Sequence, residues 1–188
     1  MKVFVFFKRK LRLAFALIFA SIAVSLTKLT MYFHVAQLLS LVPFRTGNLV
    51  RYYFYKWTLS SCGDDVVISF GTVISYTDVN IGNHVHIGDY NSIGLVDIGD
   101  YTQTAQFCSL LSGARHHEFS NTDIPIMKQP SHRDRIKVGP DVWIGANVTV
   151  MANVGKGCVI GAGSVATKDV PDFSVAAGNP ARIIRTRK

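Results

Sequence analysis

The chain has 188 residues, three cysteines and a formal net charge of +8. That length supports one good core with a small appendage. The cysteines (Cys62, Cys108, Cys158) are odd in number, widely spaced and without a C-x-x-C, so they read as reduced thiols in a cytosolic setting and exclude a disulfide framework. The charge is uneven: residues 1–63 carry nine Lys/Arg and no Asp or Glu, whereas residues 64–188 carry eleven basic and twelve acidic side chains. A boundary near Asp64 therefore separates two parts with different partners.

The first part, residues 1–61, opens with a basic cluster (Lys8, Arg9, Lys10, Arg12) ahead of an apolar run from Leu13 to Leu26. A second apolar stretch follows Lys28, and then a segment mixes aromatics with Arg45, Arg51 and Lys56. Both apolar runs fall short of the roughly 20 residues that a spanning helix needs. A secretory signal also fits the charged start, with Ser21-Ile22-Ala23 as a cleavage site. Ser21, Ser25 and Lys28 make a narrow polar stripe, which favours one or two helices lying flat in a membrane surface, with Lys/Arg against anionic headgroups. The competing expectation is that these helices pack on the rest of the protein or on a neighbouring subunit.

From residue 62 onward the rhythm changes. Ile81, Ile87 and Ile93 stand six apart, each followed by glycine; Ile98, Thr104 and Leu110 continue after one residue is dropped. Val138, Ile144 and Val150 resume the pattern, then Ile160 and Ala166, and upstream Ile68 and Ile74 fit as well. Neither a helix, at 3.6 residues, nor a flat strand, at 2, has a period of six. A β-helix does: each hexapeptide supplies a short strand and a corner, three make a triangular coil, and stacked coils align the aliphatics into a core. The pattern predicts about five coils within residues 65–175. Cys108 and Cys158 fall within rungs and are expected in the core. His84 and His86 are expected to face solvent.

The segments "IGNHVHIG", "VGPDVWIGANVTV", "VIGAGSVATKDVP" and "AAGNPARIIR" resemble the hexapeptide-repeat acyltransferases, in particular the maltose/galactoside, xenobiotic and exopolysaccharide O-acetyltransferase branch. The resemblance covers residues 62–188 and implies an all-β, left-handed parallel β-helix, here preceded by an α-helical region. It further implies a homotrimer, acetyl-CoA as donor, no metal, and active sites between subunits. A Zn-dependent member of the same fold would need paired histidines at a spacing that His116 and His117 lack. The departure from the family is the spacing from Val150 to Ile160, two residues short of the repeat.

The repeat is interrupted at 112–137 by a polar loop carrying His116 and His117. A neutral imidazole can take the proton from a hydroxyl as its oxygen attacks a thioester. In the family a single loop histidine does this; His117, followed by Glu118 and Phe119, fits its motif better than His116. Glu118 and Asp123 are the carboxylates available to orient the imidazole. By the same resemblance Gly145, Ala146, Ala162 and Gly163 admit a pantetheine arm, Trp143 walls the donor channel, and Thr167, Lys168, Arg182 and Arg185 meet the nucleotide end. Asn91 and Asp97 are placed near the acceptor. The expectation is an acetyl-CoA-dependent O-acetyltransferase acting on a saccharide, peripheral to the cytosolic membrane face, with no nucleic-acid partner. The alternatives are acetylation of an antibiotic-like hydroxyl, or a silent scaffold in a polysaccharide-assembly complex.

Overall fold

The computed structural model describes residues 2–27 and 32–187, with side chains from Lys10 onward; Lys28, Lys188 and the side chains of Lys8 and Arg9 lie outside the described residues. Three helices precede the strands: α1 (Lys2–Leu26), α2 (Tyr32–Ser40) and α3 (Phe44–Thr58). α1 runs unbroken because residues 2–26 contain neither Gly nor Pro. Among the described residues no helix is long and apolar enough to cross a membrane.

The rest is a parallel β-helix of three faces. The first face stacks Ser61–Cys62, Asn80–Ile81, Val96–Ile98 and Ile136–Val138, and single bridges extend it through Val154 and Val170. The second stacks Val67–Ile68, His86–Ile87, Gln103–Thr104, Trp143–Ile144, Val159–Ile160 and Ser174–Ala177, and closes on an antiparallel strand, Arg182–Thr186. The third stacks Val73–Ile74, Ser92–Ile93, Ser109–Leu110, Thr149–Val150 and Val165–Ala166. The register holds as expected: Ile81 pairs with Ile98, Ile87 with Thr104, Ile93 with Leu110 and Ile144 with Ile160. Every inward residue named from the six-residue rhythm is buried, and so are all three cysteines. Burial raises the Cys62 thiol to about 11.

Two of the three corners are invariant. From the first face to the second the inward residues step by six without exception: Cys62 to Ile68, Ile81 to Ile87, Ile98 to Thr104, Val138 to Ile144, Val154 to Ile160 and Val170 to Ala176. From the second to the third the step is again six throughout. All length variation is confined to the corner from the third face back to the first. Ile74–Ile81 is long there and Ile93–Ile98 short, Leu110–Val138 carries the loop, and Val150–Val154 and Ala166–Val170 are shortest. The missing two residues before Ile160 are one case of this rule, repeated in the following coil.

At each invariant corner the residue three before the inward aliphatic takes a left-handed conformation. Glycine does so at Gly71, Gly157 and Gly163, but Tyr90, Tyr101, Phe107 and Phe173 do so too, at φ between 55° and 59°. Their rings lie along the edge: Tyr90 stacks on Phe107 at 5.3 Å between centroids, and His84 on Tyr101 at 4.7 Å. At two corners the next ring lies directly against the glycine. A Cβ on Gly71 would meet the Tyr90 ring at 2.4 Å, and one on Gly157 the Phe173 ring at 2.5 Å.

The open end of the solenoid is closed by α3. In the first coil Val67 and Ser69 donate their N–H groups to the second coil, so Ile68 between them faces the unpaired edge. Its carbonyl accepts from Arg51 Nε at 2.8 Å. Ile74 N–H, on the same edge, donates to Tyr55 Oη at 3.1 Å. Arg51 is fully buried and also donates to the carbonyls of Leu39, Ser40 and Val42 and to Asn48 Oδ1, tying α2 and α3 to the coil without a carboxylate. Burial lowers its guanidinium to about 10. α3 is thus a capping element of the kind that repeat proteins place over an exposed terminal unit. α1 packs on α3 through the small stripe Ala16, Ala20 and Ala23.

Candidate active site

The 112–137 loop leaves the variable corner at Ser112. It turns through Gly113, at φ 78°, where a Cβ would come within 2.7 Å of Asp134 on the returning arm. The two arms lie antiparallel: His117 bridges Ser131, His132 N–H donates to His116 C=O, and Asp134 N–H donates to Ser112 C=O. At the tip, Gln129 Nε2 donates to the carbonyls of Asn121 and Ile124. At the root, Arg135 reaches Asp78 and Asp97 at 2.6 Å each, and hydrogen bonding to Asp97 raises the Arg135 guanidinium further above its already high value.

Between the loop root and the third face lies a cleft of about 270 Å³. Ser75, Tyr76, Ser92, Ser112, His116 and Met151 line it. His116 is the imidazole on this cleft. The His117 ring stands 4.9 Å from it, centroid to centroid, along the loop. Glu118 is committed to His132, with Oε1 2.9 Å from Nε2, and Asp123 N–H is bonded to Asn121 Oδ1 at the loop tip. His84 stands beside Asp65 and His86 beside Ser69, both away from the loop.

The two acceptor-side candidates have structural partners. Asn91 is 2% exposed; its amide donates to Thr104 Oγ1 and Ala105 C=O, and its Oδ1 accepts from Cys108 N–H. It brackets the second and third coils from inside. Asp97 accepts from both Arg135 and Asn80 and anchors the loop root.

The donor-side candidates divide between the edges of the third face. Gly145, Ala146, Ala162 and Gly163 share the invariant edge, where Gly163 N–H donates to Ala146 C=O at 2.8 Å. A Cβ on Gly145 would stand 2.6 Å from Ala162 N, whereas one on Gly163 would meet nothing within 4 Å. The edge is therefore narrow and bare. Thr167 and Lys168 are exposed at the variable corner, two coils beyond the loop, about 10 Å at strand spacing. Trp143 is exposed on the second face in a shallow depression with Tyr101, Gln103 and Arg187. Arg182 and Arg185 lie exposed on the final strand. Arg187 clasps Asp141 at 3.1 Å and the Gly157 carbonyl at 2.8 Å. Within one chain, then, the Gly/Ala edge and His116 sit on opposite sides of the third face.

Residues 135–168 match the bacterial transferase hexapeptide family (six repeats). The chain is 29% identical over 136 residues to a probable acetyltransferase of Mycobacterium tuberculosis, covering 58% of this chain and 45% of that protein. It is 35% identical over 118 residues to the galactoside O-acetyltransferase of Escherichia coli, covering 55% of each. The chain thus spans about half the length of these relatives. Among solved structures it resembles AntD, an N-acyltransferase from Bacillus cereus in complex with dTDP-4-amino-4,6-dideoxyglucose and coenzyme A. The TM-score is 0.60 at 25% identity, over 68% of this chain and 73% of that one. Repeat register, three-faced solenoid and these matches agree: the chain folds as a hexapeptide-repeat β-helix, and residues 135–168 of it match the bacterial transferase hexapeptide family.

Proposed function

We propose that this protein is an acetyl-CoA-dependent O-acetyltransferase acting on a saccharide hydroxyl, with residues 62–188 as the catalytic part. The observation that carries the reading is His116 on a hydroxyl-lined cleft at the root of a braced loop, with a Gly/Ala stretch along the opposite edge of the same face. The galactoside acetyltransferase relative and the AntD complex with coenzyme A and a sugar nucleotide support it. In the proposed reaction a neutral His116 imidazole accepts the proton of the acceptor hydroxyl as its oxygen attacks the thioester carbonyl. Backbone N–H groups stabilise the tetrahedral oxyanion. The intermediate collapses to the ester and coenzyme A thiolate, which takes the proton back from the imidazolium. The cleft supports His116 in this role, one residue before the histidine favoured by motif.

The separation of the Gly/Ala edge from His116 supports a site shared between copies, in a homotrimer whose neighbour brings its bare edge to the loop. There Thr167, Lys168, Arg182 and Arg185 would meet the nucleotide phosphates, and Trp143 would flank the channel. We assign the helical segment to a membrane surface. α1 leaves Leu11, Phe15, Ile18 and Ile22 exposed at i, i+4, i+7 and i+11, and the Ser21 and Ser25 hydroxyls on its narrow polar stripe bond back to the carbonyls of Leu17 and Ser21. The decisive experiment is thiol release from acetyl-CoA against a panel of saccharides. Release that depends on a sugar and falls about 10²–10⁴-fold in His116→Ala is expected. No release with any acceptor despite coenzyme A binding would favour a silent scaffold. A full loss in His117→Ala with His116→Ala active would reverse the assignment.

A further inference from the structure

A cavity of about 570 Å³ lies at the N-terminal end of the solenoid, between α1, α3 and the first coil. Arg12 comes from α1; Arg45, Asn48, Tyr52 and Tyr53 come from α3; Asp65 comes from the coil. The coil's carboxylate is engaged elsewhere, 3.3 Å from His84 Nδ1. Arg12 and Arg45 form no ion pair or hydrogen bond among the described residues. Asn48 spends its oxygen on Arg51 and keeps its NH₂ group. Two guanidiniums and an amide donor therefore line a cavity walled by tyrosine rings, in a segment that holds no Asp or Glu before Asp64.

The position of Arg12 on α1 gives the ligand a second requirement. The helix turns Ala16, Ala20 and Ala23 to α3 and Leu11, Phe15, Ile18 and Ile22 outward. At 100° per residue Arg12 lies on the seam between those two faces, and Phe19, two turns on, shares its side. Phe15 and Phe19 stack at 5.6 Å. A molecule seated in the cavity by an anionic group thus has an exposed apolar track beginning at its rim. A free anion would leave that track unused; an anionic amphiphile would cover it.

We infer that this cavity is a headgroup site for an anionic phospholipid, its phosphate held between Arg12 and Arg45 and its acyl chains lying along the outer stripe of α1. This rests on the membrane assignment above and gives it a chemical specificity. The planar fork of arginine suits phosphate oxygens, and tyrosine suits the level of the headgroups.

The test is flotation of the full chain with phosphatidylcholine vesicles, with and without phosphatidate, for the native sequence and Arg12→Gln/Arg45→Gln. The native protein is expected to favour phosphatidate vesicles, and the double variant to lose about thirtyfold in partitioning to them. Equal partitioning of both proteins would remove the cavity assignment and leave the membrane assignment standing. Failure of the native protein to float with either vesicle would remove both. A soluble arm separates the source of the phosphate, because Trp57 lies 5.7 Å from the Tyr53 ring and reports on the cavity wall. Monomeric dihexanoyl phosphatidate should change its emission in the native protein and not in the double variant. An equal response to inorganic phosphate would make this an anion site and overturn the lipid.

Discussion

Replacing Arg51 by methionine tests the claim that α3 closes the solenoid. The native guanidinium makes five hydrogen bonds, four of them to carbonyls. Two of those carbonyls keep another donor after the change: Ser40 C=O retains Gly71 N–H at 2.8 Å and Leu39 C=O retains Val42 N–H at 3.2 Å. Ile68 C=O and Val42 C=O have no other donor among the described residues and are left unpaired. An orphaned buried acceptor costs about 1–3 kcal/mol, so the gross loss is about 2–6 kcal/mol. Methionine fills part of the volume and spares the burial of a charge whose removal from water already lowers its pKa to about 10. The net expectation is about 3 kcal/mol, or roughly 6–12 °C in Tm for a chain of this size. The assay is urea unfolding at fixed protein concentration, followed by far-ultraviolet circular dichroism, with the slope compared between proteins. A loss below about 1 kcal/mol at unchanged slope would refute the cap. Arg51→Lys, which can reach fewer of the acceptors, should fall between the two.

Asn91→Ala should lower stability by about 2–3 kcal/mol through the bonds to Cys108, Thr104 and Ala105, while leaving the acceptor KM of the remaining folded enzyme unchanged; a selective rise in KM would return Asn91 to the acceptor site. Ala20→Leu should cost about 1–3 kcal/mol by overpacking the α1–α3 contact, read by the same unfolding assay; a neutral result would mean that α1 does not rest on α3 through this stripe. The raised Cys62 pKa sets a pH dependence: the unfolded thiol ionises from about 9, the buried one only near 11, so the unfolded state sheds its proton first and stability falls as pH rises across that window. Cys62→Ala should flatten part of that slope, and the three thiols of the native protein should label slowly at pH 8 until denaturant is added.

The solenoid was legible because its core is written at fixed intervals, and an inward aliphatic such as Ile87 needs no distant partner to be recognised. Val154 and Val170 escaped the same reading because they follow Val150 and Ala166 by four residues, across the corner whose length varies. The cap was not legible: Arg51 among aromatics reads as a surface cation, and its target, Ile68 C=O, is a backbone group exposed only by the topology. The left-handed tyrosines and phenylalanines also run against local preference and are understood once their rings are seen stacked on the next coil. At the site, motif and geometry part by one residue. His117 carries the favoured neighbours, and the turn at Gly113 brings His116 to the cleft.

The single variable corner sorts the chain by its tolerance of inserted residues. One extra residue between Ile144 and Val150 would have no corner to absorb it. Val150 would shift by one position and trade its place in the core for solvent before the next variable corner could restore the register. The same residue added between Met151 and Val154 would only lengthen a corner that elsewhere accommodates a whole loop. New chemistry can therefore enter this fold along one vertical line, the line that already carries His116 and Lys168, while the other two edges keep the spacing of the stack.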